Sequence, residues 1–227
     1  MLKSILEGKK VALVAPGAQT EIMSLGSLID SYDIVARVGN LAPLVKDEVG
    51  SRTDILCENF WFWSDKYSID KAGLYNQWLS EGVKYVNYIW PDSHGLLEFR
   101  KLNNDRLPIS YQPFDVQLKI RDVVGSPTKG MCAIYDFLQY PIAELFVVGY
   151  SFCKGFGYRK DYFLNTFNVP TGEVEYINPL DSMKDLSKWT VNLKGYDHKL
   201  REELDWFKSI KDSRLKCDPW LEKLLCE

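Results

Sequence analysis

Residues 195 to 207, GYDHKLREELDWF, place His198, one of only two histidines in the chain, at what reads as the first turn of an amphipathic helix. The positive pole of a helix N-terminus disfavours imidazolium. A histidine placed there is therefore biased toward the neutral form, which a general base must have before it accepts a proton. An ordinary surface histidine has the same local sequence, and only its neighbours in the fold separate the two readings. Three strand-to-helix junctions could supply such neighbours. In VALVAPGAQTE, Pro16 and Gly17 end an apolar run; a glycine there lets a phosphate approach the backbone, and a following helix offers free N–H groups, although the turn is neither GxGxxG nor GxxxxGK[ST]. In DIVARVGN, an apolar run is interrupted by Arg37 and closed by Gly39 and Asn40, where Asn40 either bonds a sugar or phosphate or simply adopts a turn conformation. In GSPTKGMCAIYDFL, Ser126, Thr128 and Gly130 precede an apolar helix, so hydroxyl and backbone donors gather at its positive end. That arrangement suits a carboxylate or a phosphate, and it also suits a plain N-cap. Lys129 either neutralises the anion or is a solvated helix-start residue.

The elements that position these junctions alternate along the chain. Val11 to Ala15 reads as a buried strand, residues 20 to 30 as a helix with Thr20 as its cap, and Asp33 to Val38 and Asp54 to Cys57 as further strands. A helix closing at Trp78 to Glu81 precedes a strand at Lys84 to Ile89, and a helix at Gly130 to Gln139 precedes one at Glu144 to Tyr150. Repeated units of this kind predict an α/β fold, a Rossmann-like open and mostly parallel sheet with helices on both faces. Ligands of such sheets lie beyond the carboxyl ends of the strands. The whole chain reads as a single domain, with residues 153 to 196, rich in Gly, Asn, Pro and aromatics, as a candidate acceptor-binding lid.

Composition narrows the class of partner. A chain of 227 residues with 46% hydrophobic and 14% aromatic content is long enough for one sizeable core. Its net charge of −3 with mixed signs provides no field for a nucleic-acid polymer. Five cysteines, odd in number and scattered, show no metal-ligand spacing, and are expected to be reduced thiols of a cytoplasmic protein. No run of about 18 apolar residues spans a membrane.

Taken together, the junctions resemble the motifs of the sialyltransferase family. GKKVALVAPGAQTE, GSLIDSYDIVARVGNLAP and EVGSRTD, in that order, are similar to the large sialyl motif, in which an aspartate-bearing turn leads into a strand ending in Arg, Asn and Ala-Pro, and then into a VGSRT segment. SPTKGMCAIYDFL and ELFVVGYSF resemble the small sialyl motif, and His198 with Glu203 fills the H-x4-E element. The resemblance covers about residues 9 to 59, 125 to 152 and 195 to 203. It implies a variant GT-A-like fold and a metal-independent glycosyltransferase that moves an acidic sugar, sialic acid or Kdo, from a CMP-sugar to a saccharide hydroxyl. Carried across, His198 is the general base. Pro16, Gly17, Asn40, Ser126, Thr128, Lys129, Gly130 and Ser151 bind the donor, and Arg37, Arg52 and Glu203 support them. No metal and no cofactor is expected; the CMP-sugar is a substrate.

The resemblance has departures. The usual VGNSG turn is VAPGA here, PSTG is PTKG, and the histidine motif that assists the departing phosphate has no clear counterpart, since His94 lies too far upstream and reads as a loop or helix-cap residue. The cysteines that join the two motifs in Golgi members are not matched, and no signal anchor is seen, which points to a bacterial or viral relative with a glycan or lipid-linked acceptor. Glu203 lies five positions past His198 and so off its helical face, whereas Glu202 is nearer. Trp61, Trp63, Tyr158 and Tyr162 are candidates for stacking on sugars. The tail, with Lys208, Lys211, Arg214 and Lys216 beside Trp220, Leu221 and Leu224, either rests on an anionic membrane surface or packs its leucines onto the domain. The competing reading is an inactive nucleotide-binding or scaffold domain of the same fold.

Overall fold

The apolar run that begins at Val11 forms a central strand of a parallel sheet. In the computed structural model, which describes residues 2–39, 44–60, 70–89, 93–154, 158–159 and 198–226, the strands are β1 (Lys10–Val14), β2 (Ile34–Val38), β3 (Ile55–Glu58), β4 (Tyr85–Tyr88), β5 (Ile109–Tyr111), β6 (Glu144–Val148) and β7 (Leu215–Cys217). They form a seven-stranded sheet in the order β5-β4-β3-β2-β1-β6-β7, and every pairing is parallel. Strands β2 to β5 build outward on one side of β1, and β6 and β7 on the other. The chain order therefore reverses between β1 and β6, the position at which open α/β sheets take their ligands.

Strands covered on both faces read as nearly continuous apolar runs, and β1 is buried from Val11 to Val14. On one face Val11, Leu13, Ala36, Ile55, Leu145 and Val147 meet helices α1 (Leu2–Leu6), α6 (Phe114–Val124), α7 (Lys129–Leu138), α8 (Leu200–Ser209) and α9 (Pro219–Cys226). On the other, α2 (Gly26–Asp30) and α3 (Lys46–Val49) cover Ala12, Val14 and Val35. Beside them α4 (Lys71–Ser80) and α5 (Ser93–Asn103) cover Leu56 and Val86 around the stacked rings of Phe60 and Phe99, 4.2 Å apart. The expected α/β architecture with helices on both faces is the one observed.

Three local expectations are corrected. Residues 20 to 30 do not form one helix: a 3-10 turn at Ala18–Ile22 is followed by α2. Thr20 turns its hydroxyl back onto the Gly17 carbonyl at 2.8 Å, so it is no N-cap. Ser24 takes φ +48°, which breaks the helix and lets Gly26 press against α3, where a Cβ would stand 1.8 Å from the Lys46 carbonyl oxygen. The last predicted strand ends at Val148 because Gly149 turns to φ +76°. Finally, α8 begins at Leu200 with Lys199 at its cap position, which leaves His198 just ahead of the helix and not in its first turn.

The tail packs onto the domain. Leu221 and Leu224 of α9 are buried in the core, and Asp218 caps the helix by accepting from the Trp220 and Leu221 N–H groups at 2.9 and 2.8 Å. Among the described residues no helix is long and apolar enough to cross a membrane.

Candidate functional site

Helix α7 begins at the sheet's carboxyl edge, where its free N–H groups must find partners. Thr128 caps it by accepting from the Met131 N–H at 3.3 Å. The same residue donates its own N–H and its hydroxyl to the carboxylate of Glu203, at 2.6 and 2.8 Å. Glu203 is completely buried on the inner face of α8. Burial pushes its pKa up to about 8, against the two Thr128 hydrogen bonds that favour the charged form. The carboxyl group is therefore a clamp between α7 and α8.

His198 meets the same loop two residues earlier. Its Nδ1 lies 3.0 Å from the Ser126 carbonyl oxygen. A carbonyl only accepts, so Nδ1 carries the proton and donates. In the neutral imidazole the lone pair then falls on Nε2, and the bond fixes the orientation of the half-buried ring. His198 and Glu203 thus both grip residues 126–128, one from each side of the α8 start, which explains how two side chains on different helical faces serve one loop.

Lys129, at the first position of α7, is neither solvated nor open to an anion. Its ammonium pairs with Glu58 at the end of β3, at 2.7 and 3.0 Å. Glu58 is fully buried and also accepts from the Asn59 N–H at 2.8 Å. A cation at a helix N-terminus is unfavourable, and the buried carboxylate offsets that. Gly130 is required by a close approach: a Cβ there would stand 2.4 Å from Cε1 of Tyr150, whose hydroxyl reaches the Gly130 carbonyl at 3.3 Å.

The turn after β1 lies against the turn after β6. A Cβ on Gly17 would stand 2.2 Å from the Gly149 carbonyl oxygen, and the Gly149 N–H donates to Asp218 at 2.8 Å. The Pro16 carbonyl accepts from the Arg159 N–H at 2.9 Å, and Gly17 bridges Tyr158. Arg159 also reaches Glu48 and the Thr20 hydroxyl, at 2.7 and 3.0 Å. Beyond Gly149, Phe152 and Cys153 both take positive φ, +52° and +56°, an uncommon conformation for side-chain-bearing residues. The Ser151 hydroxyl accepts from the Cys153 N–H at 3.2 Å inside that bend.

Arg37 and Arg52 point elsewhere. Arg37 lies on the opposite face, 3% exposed, and donates to the Val49 carbonyl at 2.6 Å, the Arg52 carbonyl at 2.9 Å and the Thr53 hydroxyl at 3.0 Å. Burial lowers its pKa to about 10, which leaves it charged at neutral pH. Arg52 pairs with Asp54, which also binds Lys84 at 2.8 Å, and Asp30 accepts from the Ser51 N–H and hydroxyl at 2.9 and 2.8 Å. Most of the described large-motif residues therefore brace β2, α3 and β3.

The structure brings Ser126, Thr128, Lys129, Gly130, His198 and Glu203 together, and joins Gly17 to the Gly149–Ser151 bend beside them. Glu58, Tyr150 and Arg159 contact the candidate residues and were missed by sequence reasoning. Asn40, Trp61, Trp63, Tyr162 and nearly all of the candidate lid lie outside the described residues. His94 falls in the first turn of α5. None of the five cysteines is in a disulfide, and Cys57, Cys132 and Cys153 are buried. Among the described residues no group of three or more His, Cys, Asp or Glu side chains is placed to hold a metal ion.

No family model and no curated protein matches this chain. Among solved structures, it is similar to a crystal structure of a mammalian sialyltransferase, with 11% identity, a TM-score of 0.49, and coverage of 92% of this chain and 68% of that one. It is also similar to a crystal structure of a mammalian sialyltransferase in complex with Gal-beta-1-3GalNAc-ortho-nitrophenol, with 12% identity, a TM-score of 0.46, and coverage of 80% of this chain and 67% of that one.

Proposed function

We propose that the chain is a glycosyltransferase that moves an acidic sugar from a CMP-sugar donor to a saccharide hydroxyl, with His198 as general base. The observation that carries this reading is the His198–Ser126 hydrogen bond, which commits Nδ1 as a donor, so that in the neutral imidazole the basic lone pair is on Nε2. The order and residues of the three sialyl-like motifs support it. In this scheme the acceptor hydroxyl loses its proton to Nε2 as its oxygen attacks the anomeric carbon. The bond to CMP breaks, and the phosphate leaves with the electron pair, stabilised by the N–H groups at the start of α7. The Thr128 hydroxyl is committed to Glu203, so it positions the loop and does not itself grip the donor. Lys129 would reach an anion only by leaving Glu58.

CMP release from CMP-sialic acid and CMP-Kdo, measured with and without EDTA over an acceptor panel, tests the proposal. Acceptor-stimulated release that persists in EDTA and disappears in His198→Ala is the expected result. Thermal stabilisation by CMP without turnover of either donor would favour a binding-only domain, and indifference to CMP would overturn the reading.

A further inference from the structure

Gln19, two residues after Gly17 in the turn after β1, is 1% exposed, yet among the described residues neither its Oε1 nor its Nε2 has a hydrogen-bond partner. An unpaired buried amide destabilises a fold, and native chains that keep one commonly do so where a ligand completes it. The position of this amide is specific. Its Oε1 lies 2.4 Å from the point where a Cβ on Gly17 would stand, and the Gly149 carbonyl oxygen lies 2.2 Å from that same point. The carboxamide therefore sits between the ends of β1 and β6, at the chain-order reversal where open α/β sheets take their ligands.

We infer that Gln19 reads the base of the donor nucleotide, its carboxamide pairing with the aminopyrimidine edge of cytosine. Oε1 accepts from the exocyclic amine and Nε2 donates to the ring N3, two adjacent and complementary bonds that one planar amide supplies. The inference rests on the CMP-sugar reading and deepens it. A phosphate is a poor occupant here, because it only accepts and would face two carbonyl-type oxygens, Gln19 Oε1 and Gly149 O. In the proposed scheme the phosphate lies at the start of α7. A flat ring with one polar edge suits a turn this well shielded from water. Tyr158 and Arg159 lie across the same turn, through the Gly17 bridge and the bond to the Pro16 carbonyl.

Gln19→Met, which keeps the side-chain length and removes both polar atoms, separates the outcomes. Thermal melts of the unliganded protein are combined with titrations of CMP and of ribose 5-phosphate, which lacks the base. The variant is expected to melt about 2–4 °C higher than wild type and to bind CMP about tenfold or more weakly, with ribose 5-phosphate affinity unchanged. Equal CMP affinity in the two proteins, or equal weakening toward both ligands, overturns the assignment. So does a lower melting temperature or a failure to fold, since either shows that the amide holds the fold together. Wild-type protein that ignores CMP defeats the donor reading itself, whereas loss of the Gln19 effect in a wild type that binds CMP defeats only this inference.

Discussion

The imidazole Nδ1 of His198 donates to the Ser126 carbonyl across 3.0 Å, a bond between residues 72 positions apart that sets which ring nitrogen carries the proton in the neutral imidazole. His198→Asn can keep a donor near that carbonyl but has no basic nitrogen. Acceptor-stimulated CMP release should fall by about 10²–10⁴-fold in this variant, while CMP affinity measured by calorimetry stays within about twofold. Full activity would exclude His198 as the base.

Glu203 ties stability to pH. Its folded pKa is raised by burial from the ordinary 4.5 to about 8, so its contribution is fully present below about pH 4.5 and is lost as pH rises through about 8. Glu203→Gln stays neutral at every pH. Melting temperature followed from pH 5 to pH 8 should therefore decline less in the variant than in wild type, by up to about 1.4 kcal/mol of stability per pH unit. Asp136, raised by burial to about 6, acts in the same direction over a more acidic window and is unchanged in both proteins. Parallel curves would show that Glu203 is charged throughout.

The Lys129–Glu58 pair predicts an asymmetry. Lys129→Met leaves the fully buried Glu58 carboxylate without its cation, which should cost about 3–5 kcal/mol in urea unfolding. Adding Glu58→Gln removes the stranded charge while keeping an acceptor for the Asn59 N–H, and most of the loss should return. Additive losses in the double variant would mean that the two side chains act independently.

Gly130→Ala places a methyl against the Tyr150 ring, where 2.4 Å is available. Overpacking of this kind costs about 1–3 kcal/mol. In Tyr150→Ala the ring is gone, so adding Gly130→Ala there should cost far less. An equal cost in both backgrounds would place the strain elsewhere.

Much of the frame was legible from local pattern. The apolar runs at residues 11, 34, 55, 85 and 144 became strands because a strand buried on both faces must be apolar almost throughout. The three-residue strands β5 and β7, half-exposed at the sheet's edges, escaped because they carry no such run. The break at Ser24 was invisible for a related reason. It answers to the contact between Gly26 and the Lys46 carbonyl, which lies 20 positions downstream in sequence.

The sequence by itself determined the fold class, the strand-to-helix junctions that build the candidate site and the pairing of His198 with Glu203 in one motif, because turn residues, caps and hydrophobic period are encoded within a few neighbouring positions. Only the tertiary structure decided how those residues are used. It committed Thr128 to Glu203 and Lys129 to Glu58, turned Arg37 and Arg52 into braces, and left the Gln19 amide without a partner among the described residues. A buried polar group is defined by what surrounds it, and what surrounds each of these arrives from parts of the chain that no local pattern connects.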